Sequence, residues 1–124
     1  MNYSVATSLF MKLDLLEAIS NIAAAGFGEI EVWARAPHLD STDRGYDIDA
    51  ALRALTDHGV KAKSCHAPYG AQMDLGSEDS SYRKAGIESL RMLLEPCAKL
   101  GVETIVVHPN SPPQGQTDEQ AEAS

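Results

Sequence analysis

Two histidines end apolar, β-rich runs of the sequence, and a proline-marked loop follows each of them. The first run covers residues 60–66 and ends in His66, and the second covers residues 102–108 and ends in His108. Because proline lacks an amide hydrogen and cannot continue an interior ladder, Pro68 and Pro109 should fix each strand end just past its imidazole. Imidazole is suited to proton transfer near neutral pH, to binding a hydroxyl and to ligating a metal.

Side chains alternate between the two faces of a strand with a period of two. This alternation predicts two shared faces, one formed by Ala62, Ser64 and His66 and the other by Thr104, Val106 and His108. If helices cover the opposite faces, both histidines lie at the carboxyl ends of neighbouring parallel strands, where open α/β sheets and α/β barrels bind their ligands. A single such histidine would more often be a core or loop residue, whereas two in equivalent positions favour a functional site.

The elements that would position these histidines alternate between strands and helices. Strands are predicted to begin near positions 3, 29, 60 and 102, and the first should extend over residues 3–9. The resulting β-α-β-α-β-α-β order predicts right-handed crossovers and a parallel sheet. In the second strand, residues 29–33, Ile30 and Val32 form an apolar face and leave Glu31 and Trp33 on the opposite side.

Capping residues and apolar spacing define three helices. The first begins with a capping box of Asp14 and Glu17 and ends at Gly26. The second begins at Asp47 and ends at Gly59. The third is expected from about residue 81 to residue 100, and Pro96 inside it should kink it. The apolar stripe of this third helix is predicted to consist of Ile87, Leu90, Leu94 and Cys97.

Other residues capable of chemistry lack a supporting pattern. His38 lies in a loop and His58 near a helix end, so solvated surface is the expected environment of both. Cys65 and Cys97 have neither CxxC nor framework spacing, and we interpret them as reduced thiols of a cytoplasmic protein. The sequence contains no G-x-S-x-G nucleophile motif and no phosphate-binding glycine loop that opens a helix.

Chain length, composition and net charge limit the class of protein. A chain of 124 residues with 44% hydrophobic content is long enough for one domain with a buried core. Its net charge of −8 argues against a polyanionic partner such as DNA and against an anionic membrane surface. No run approaches the ~18 apolar residues needed to span a bilayer, and no signal peptide is indicated.

The last stretch of the sequence favours a helix that begins and does not continue. Residues 111–116 form a Pro/Gly loop, and Thr117 with Gln120 makes a capping-box signature. The helix predicted from residue 117 would reach Ser124 after about two turns of ~3.6 residues, too short to cover the fourth strand. A frayed polar tail is the alternative.

Five segments of the sequence together suggest a known family: His66-Ala67-Pro68-Tyr69, Asp74-Leu75-Gly76-Ser77, Val106-Val107-His108-Pro109, and the runs 24–32 and 98–102. This set resembles the xylose isomerase-like TIM barrels, a superfamily of sugar and sugar-phosphate isomerases and epimerases that also holds zinc-dependent AP endonucleases. The resemblance implies an α/β fold, a partial (β/α)8 TIM barrel with about four parallel strands and helices on the outer face. Because the whole barrel has eight strands in ~250 residues, residues 1–124 would be its N-terminal half, truncated in the fourth helix.

The resemblance also implies an activity and a set of site residues. The complete protein would be a sugar or sugar-phosphate isomerase or epimerase, which moves a proton next to a carbonyl; this chain alone is expected to be inactive. The implied catalytic residues are His66, His108 and Glu31, and the implied substrate contacts are Trp33, Tyr69 and Asn110. Such a reaction needs a carboxylate or imidazole base and a cation that stabilises the enediolate.

A divalent metal (Mn²⁺, Mg²⁺, Co²⁺ or Zn²⁺) is implied for the complete protein, held mainly by residues of the later strands. His66 and His108 alone would supply two ligands, fewer than the three or four usual for zinc, so this chain is not expected to form a self-sufficient metal centre. In the endonuclease branch the equivalent histidines bind zinc, which makes a zinc-dependent AP endonuclease-type phosphodiesterase the alternative function. The acidic balance and the lack of clustered Lys and Arg disfavour it. A non-catalytic binding fragment of the same fold is a further alternative.

Half a barrel would have helices on one face of its sheet only. The other face would show Glu31, Trp33, Ala62, Thr104 and Val106 to water, although parallel sheets are normally covered on both faces. Its outer strands would also offer unpaired edges. We therefore expect a missing C-terminal half, or a second copy of the chain, to close the sheet around a small-molecule sugar substrate, with no membrane partner and no nucleic acid.

Overall fold

The computed structural model describes residues 3–40 and 47–109 and forms one parallel four-stranded sheet with three helices. The strands are β1 (Ser4–Ala6), β2 (Glu29–Trp33), β3 (Lys61–His66) and β4 (Thr104–Val106), and the helices are α1 (Leu15–Ala24), α2 (Ile48–His58) and α3 (Ser80–Lys99). The sheet order is β1-β2-β3-β4, so each strand pairs in parallel with the next one along the chain. This sequential order is that of a (β/α)8 barrel, and the predicted fold, a partial TIM barrel, is confirmed.

The predicted capping residues start the first two helices. In α1 the Glu17 amide donates to the Asp14 carboxylate at 2.9 Å, and the Asp14 amide donates back to Glu17 at 3.2 Å. This reciprocal capping box satisfies amides that have no intrahelical partner. The α2 helix begins after Asp47 and ends at Gly59, whose positive φ of 66° favours glycine.

One face of the sheet packs against the helices and forms the core. The apolar positions of α1 and β2 supply its centre, where Ile19, Ile30 and Val32 are completely buried. Each such side chain stabilises the fold by about 1.5–3 kcal/mol relative to leaving it exposed. Because the apolar side of every strand is used for this packing, the polar side chains of β2 and β3 lie on the uncovered face.

The first strand is shorter than predicted. β1 ends at Ala6, and Thr7–Phe10 form a 3-10 helix, so the prediction of a strand over residues 3–9 is wrong in its second half. The reason lies in Thr7, which is fully buried and whose hydroxyl oxygen accepts the backbone N–H of Trp33 at 2.9 Å. A side chain therefore takes the place of a backbone ladder partner at this end of β2.

A β-bulge in β3 changes which side chains share a face. Ile30 pairs with Ala62 and Glu31 with Ser64, so Lys63 is an extra residue in the ladder. Ala62 is consequently buried in the core, at 3% exposure, while Ser64 and His66 lie on the uncovered face. The prediction that Ala62 shares the face of Ser64 and His66 is wrong, because one inserted residue reverses the alternation.

The α3 helix starts one residue earlier than predicted and turns a different stripe inward. Leu93 and Cys97 are buried and Leu90 is half-buried, but Ile87 and Leu94, which were predicted to belong to the stripe, are 51% and 58% exposed. The rotation follows from a close contact at Gly86, which is buried against the Met73 carbonyl and Leu75. Pro96 lies inside the helix as expected, and the kink that it should cause stays a prediction.

Gly86 gives the first testable prediction. A Cβ atom at this position would collide with the Met73 carbonyl oxygen and lie 2.9 Å from Leu75 Cδ2. An alanine alone would favour the helix by about 1 kcal/mol, but crowding against fixed backbone costs typically about 1–3 kcal/mol. We expect Gly86→Ala to lower the free energy of unfolding in urea denaturation. Gly28→Ala is the matched control, since nothing lies within 4 Å of its added Cβ; equal stability of the two variants would contradict this packing.

Candidate active site

The structure brings His66 and His108 together on the uncovered face of the sheet. His66 is the last residue of β3, and His108 follows β4 by two residues, so both lie at the carboxyl ends of adjacent strands. Their Nε2 atoms are 2.9 Å apart, and the two rings are stacked at a centroid distance of 5.0 Å. His108 lies past the strand end and not within it, because β4 stops at Val106.

Glu31 and Ser64 complete a chain of hydrogen bonds behind His66. The Ser64 hydroxyl donates to Glu31 Oε2 at 2.9 Å, and His66 Nδ1 lies 3.1 Å from Glu31 Oε1. The side chains of His66 and Glu31 are 21% and 24% exposed, so both are partly buried and remain accessible from the uncovered face of the sheet. Ser64 was not predicted as a site residue; its position two residues before His66 on the same strand face is the signal that would have found it.

The chain of hydrogen bonds determines where the proton of His66 lies. An ionised Glu31 carboxylate only accepts, so His66 Nδ1 carries the hydrogen and donates it. In the neutral ring Nε2 is then an acceptor, and His108 Nε2–H donates to it. The lone pair of His66 Nε2 thus points away from Glu31, toward the space in which His108 lies.

Two aromatic side chains wall this pair of imidazoles. Trp33 is 5.1 Å from the His66 ring, and Tyr69 is 4.5 Å from the His108 ring and 5.9 Å from Trp33, all as centroid distances. Both residues were predicted to contact substrate, and the structure places both beside the histidines. The third predicted contact, Asn110, lies outside the described residues.

Arg35 is the cationic side chain at this wall, and it was not predicted. Its guanidinium lies 5.7 Å from the Trp33 ring and 5.2 Å from the Tyr69 ring, within the range of cation–π attraction, and it donates a hydrogen bond to the Tyr69 carbonyl. The signal in the sequence is the continued alternation from Glu31 through Trp33 to Arg35, which places a third side chain on the strand's uncovered side.

The buried cysteines take no part in this site. Cys65 and Cys97 are free and both lie in the core, where β3 meets α3. The hydrogen bond with the Cys97 thiol, together with burial, raises the pKa of Cys65 far above its usual value. A thiol held protonated in this way is a weak nucleophile and a poor metal ligand.

The comparisons with known proteins agree with this architecture. A family model described as the xylose isomerase-like TIM barrel matches residues 19–124. The chain belongs to this family. The resemblance inferred from the sequence segments is therefore confirmed. No curated protein sequence matches the chain.

Solved structures similar to the chain include two sugar epimerases and an AP endonuclease. They include a D-psicose 3-epimerase crystallised in the presence of D-fructose, with a TM-score of 0.72, 22% identity and coverage of 99% of this chain and 44% of that one. A 3-keto-D-glucoside 4-epimerase from E. coli has a TM-score of 0.70 and 21% identity over 88% of this chain and 38% of that one. A family 2 AP endonuclease from Brucella melitensis has a TM-score of 0.65 and 17% identity over 98% of this chain and 45% of that one. These identities show the shared fold, and the chain spans less than half the length of each of these proteins.

The histidine pair fits part of a divalent metal site. Its two Nε2 atoms face each other, and the other ring nitrogen of His66 is held by a carboxylate, as is common for metal-ligating histidines. Within residues 3–40 and 47–109, however, no group of three or more His, Cys, Asp or Glu side chains could hold a metal ion. These residues could therefore contribute two ligands of a larger site.

His38 corrects a prediction, since it is completely buried and not on solvated surface. Its Nε2–H donates to the Phe10 carbonyl at 3.2 Å, and its Nδ1 accepts the Thr7 hydroxyl at 3.1 Å. The Thr7 oxygen in turn accepts the Trp33 amide, so His38 holds the strand end that carries Trp33 into the site. His58 is exposed, as expected.

The burial of His38 predicts a dependence of stability on pH. Burial lowers its pKa below 6.5 and outweighs the Phe10 and Leu13 carbonyls and the Asp14 carboxylate, which raise it. Below about pH 6.5 the unfolded chain binds a proton that the folded chain resists, so stability falls by up to about 1.4 kcal/mol per pH unit. Urea denaturation at pH 7.5 and pH 5.5 measures this loss. His38→Gln should be less stable at pH 7.5 and lose this part of the pH dependence; the same pH dependence in both proteins would contradict it.

In the described segments of the chain, no helix has the combined length and apolar character that crossing a bilayer requires.

Proposed function

We propose that this chain is the N-terminal half of a sugar or sugar-phosphate isomerase or epimerase, which transfers a proton next to a carbonyl. The observation that carries the proposal is the hydrogen-bonded series from Ser64 through Glu31 and His66 to His108, at the carboxyl ends of the strands. Active sites of (β/α)8 barrels lie at this end. The epimerases among the structurally similar proteins support the same reaction class.

The geometry suits His66 to act as the proton-transferring group. Glu31 fixes the ring with the hydrogen on Nδ1, which leaves the Nε2 lone pair available to a substrate that displaces the His108 contact. Imidazole is the side chain most often used for general acid–base catalysis at neutral pH. His108 then serves as a donor to a substrate oxygen, and Glu31 acts through His66 by orienting it.

A divalent cation would complete the chemistry. When bound, it would supply positive charge that stabilises the negative charge developing on the substrate oxygen. His66 and His108 could contribute ligands through Nε2 under the phosphodiesterase alternative, where the same atoms would not serve in proton transfer. In the isomerase the ligands would come mainly from later strands of the complete barrel.

The uncovered face of the sheet favours the presence of further polypeptide that covers the site. Glu31, Trp33, His66 and Val106 are only half-buried on that face, whereas the opposite face is packed by helices. We propose that a C-terminal half of the barrel covers it, with pairing of two copies as the alternative. Light scattering of the 124-residue chain at several concentrations distinguishes a dimer from a monomer. The two free, buried thiols support a reducing, cytoplasmic compartment.

A zinc-dependent phosphodiesterase of the AP endonuclease type is the second candidate. The convergence of two imidazole nitrogens favours it, as does the similarity to a family 2 AP endonuclease. The net charge of −8 opposes it, because binding to DNA depends on neutralising phosphates. A binding fragment without catalysis is the third possibility and would show no turnover in either assay.

The experiment is an activity screen of the protein as its gene encodes it. Ketoses and their phosphates would be incubated with Mn²⁺, Mg²⁺, Co²⁺ or Zn²⁺ and the products separated by chromatography, beside an incision assay on abasic DNA. We expect a new sugar isomer or epimer and no incision. Incision of abasic DNA without sugar turnover would overturn the proposal in favour of the second candidate.

A further inference from the structure

The guanidinium of Arg35 is held at the edge of the site by three contacts. It lies over the Trp33 and Tyr69 rings and donates from Nη2 to the Tyr69 carbonyl. Each of these rings also contacts one of the imidazoles, Trp33 that of His66 and Tyr69 that of His108. The guanidinium is therefore separated from each histidine by a single aromatic side chain.

This arginine keeps its charge without a described carboxylate partner. Among the described residues, the arginine ion pairs are Arg53 with Asp47 and Arg91 with Glu88, both on exposed helix surfaces. The carboxylate of the site, Glu31, uses one oxygen for Ser64 and the other for His66. In a chain with net charge −8, an arginine that contacts aromatic faces beside the site is a local positive feature.

We propose that Arg35 recognises an anionic oxygen group on the substrate, a phosphate or a carboxylate, while the imidazoles act at its carbonyl end. This inference rests on the proposed function, because it uses the same site. A guanidinium presents five N–H donors in a rigid fork that matches such groups in bidentate geometry, and the Tyr69 carbonyl engages Nη2.

The contacts of Arg35 also reduce the cost of binding. Immobilising a flexible side chain on association normally weakens affinity, and two ring contacts with a hydrogen bond hold this one beforehand. Gly70 lies beside this arginine: its φ of 147° is one that glycine adopts readily, and a Cβ added there would lie 3.9 Å from Arg35 Nη2. Trp33 and Tyr69 meanwhile offer aromatic faces to the sugar carbons between the two polar ends.

Steady-state kinetics with paired substrates tests the assignment. The KM values of the gene's full product for a ketose phosphate, a keto sugar acid and the matching neutral ketose would be measured for wild type, Arg35→Gln and Arg35→Lys. Since hydrogen bonds to charged groups contribute about 1.5–3 kcal/mol, Arg35→Gln should raise KM at least about tenfold for the anionic substrates and change KM for the neutral ketose far less. Arg35→Lys should recover part of the loss, and the relative KM values of phosphate and sugar acid identify the natural anion. Arg53→Gln, far from the site on α2, is the matched control and should change none of these values.

A binding measurement keeps the inference testable if no turnover is found. Trp33 is the single tryptophan of the chain and contacts Arg35, so its fluorescence reports on this site. Titration with inorganic phosphate, ketose phosphate and neutral ketose should give saturable changes for the two anions in wild type and in Arg53→Gln, and at least about tenfold weaker binding in Arg35→Gln. Absence of turnover with Arg35-dependent anion binding would refute the proposed function alone.

Other results would overturn the assignment of Arg35 itself. Equal KM changes for neutral and anionic substrates would make Arg35 a structural clamp on Tyr69. Anion binding of the same strength in Arg35→Gln would place the anion elsewhere. Abasic DNA as the only ligand whose binding depends on Arg35 would replace the small-molecule anion with a nucleic acid.

Discussion

Replacement of His66 by asparagine should lower kcat/KM of the complete protein for its sugar substrate by about 10²–10⁴-fold, the usual contribution of a general acid–base group. The asparagine amide can occupy the place of Nδ1 and still donate to Glu31, while the variant lacks the Nε2 atom that faces His108. The fold should tolerate this change, because the His66 side chain is partly exposed. Initial rates of the purified protein, with unfolding curves to confirm its stability, provide the measurement.

His58→Asn is the matched control for this prediction. His58 is exposed at the end of α2, away from the strand ends, and its loss should leave kcat/KM within about twofold of wild type. His108→Asn should lower kcat/KM by less than His66→Asn, because His108 donates to an oxygen and the asparagine amide can replace that hydrogen bond in part. Full activity of a well-folded His66→Asn would contradict the assignment of His66 as the proton-transferring group.

Replacement of Glu31 by glutamine should lower kcat about 10–100-fold, the range found for groups that orient a ligand or catalytic side chain. The glutamine keeps the shape and can still accept from His66 Nδ1, but it lacks the negative charge that fixes this tautomer. KM should change little, since Glu31 acts through His66 and not on the substrate. Because an unfolded fraction would also lower the apparent kcat at constant KM, the variant must show the same urea unfolding curve as wild type.

Two further variants serve as a comparison and a control for the Glu31 prediction. Ser64→Ala removes one hydrogen bond to the same carboxylate and should reduce kcat by less than Glu31→Gln. Glu103 pairs with Lys63 and precedes β4, at the amino end of that strand. Glu103→Gln should therefore leave both kinetic parameters unchanged. A larger loss in Ser64→Ala than in Glu31→Gln would show that Ser64 contacts the substrate and that the proposed order of hydrogen bonds is wrong.

The sequence was sufficient for the parts of the fold that depend on local signals. The caps at Asp14 and Asp47 and the left-handed glycine at Gly59 depend on neighbours within a few residues, so they were predicted correctly. The strand ends at His66 and near His108 follow from the prolines beyond them. Since carboxyl ends of adjacent parallel strands meet at one edge, the approach of these two imidazoles could be expected before the structure.

The features that the sequence did not predict depend on contacts between distant segments. The burial of His38 requires Thr7 and Phe10, about 30 residues away in sequence, to supply its two hydrogen-bond partners. The bulge at Lys63 belongs to the pairing of β3 with β2 and reverses the facing of Ala62. The rotation of α3 follows from the contact of Gly86 with Met73, which no periodicity within the helix reveals. The ring contacts of Arg35 likewise need the loop after β3 to bring Tyr69 beside β2.

The most direct test of proton transfer at this site is deuterium exchange into the substrate. The complete protein would be incubated in D2O with ketoses and ketose phosphates and a divalent cation, and the C–H signals next to the carbonyl followed by NMR. We expect these signals to disappear with wild type at a rate well above the uncatalysed exchange, and to persist with His66→Asn. Exchange that is equally fast in His66→Asn, or no exchange with any ketose while abasic DNA is cut, would contradict the assignment.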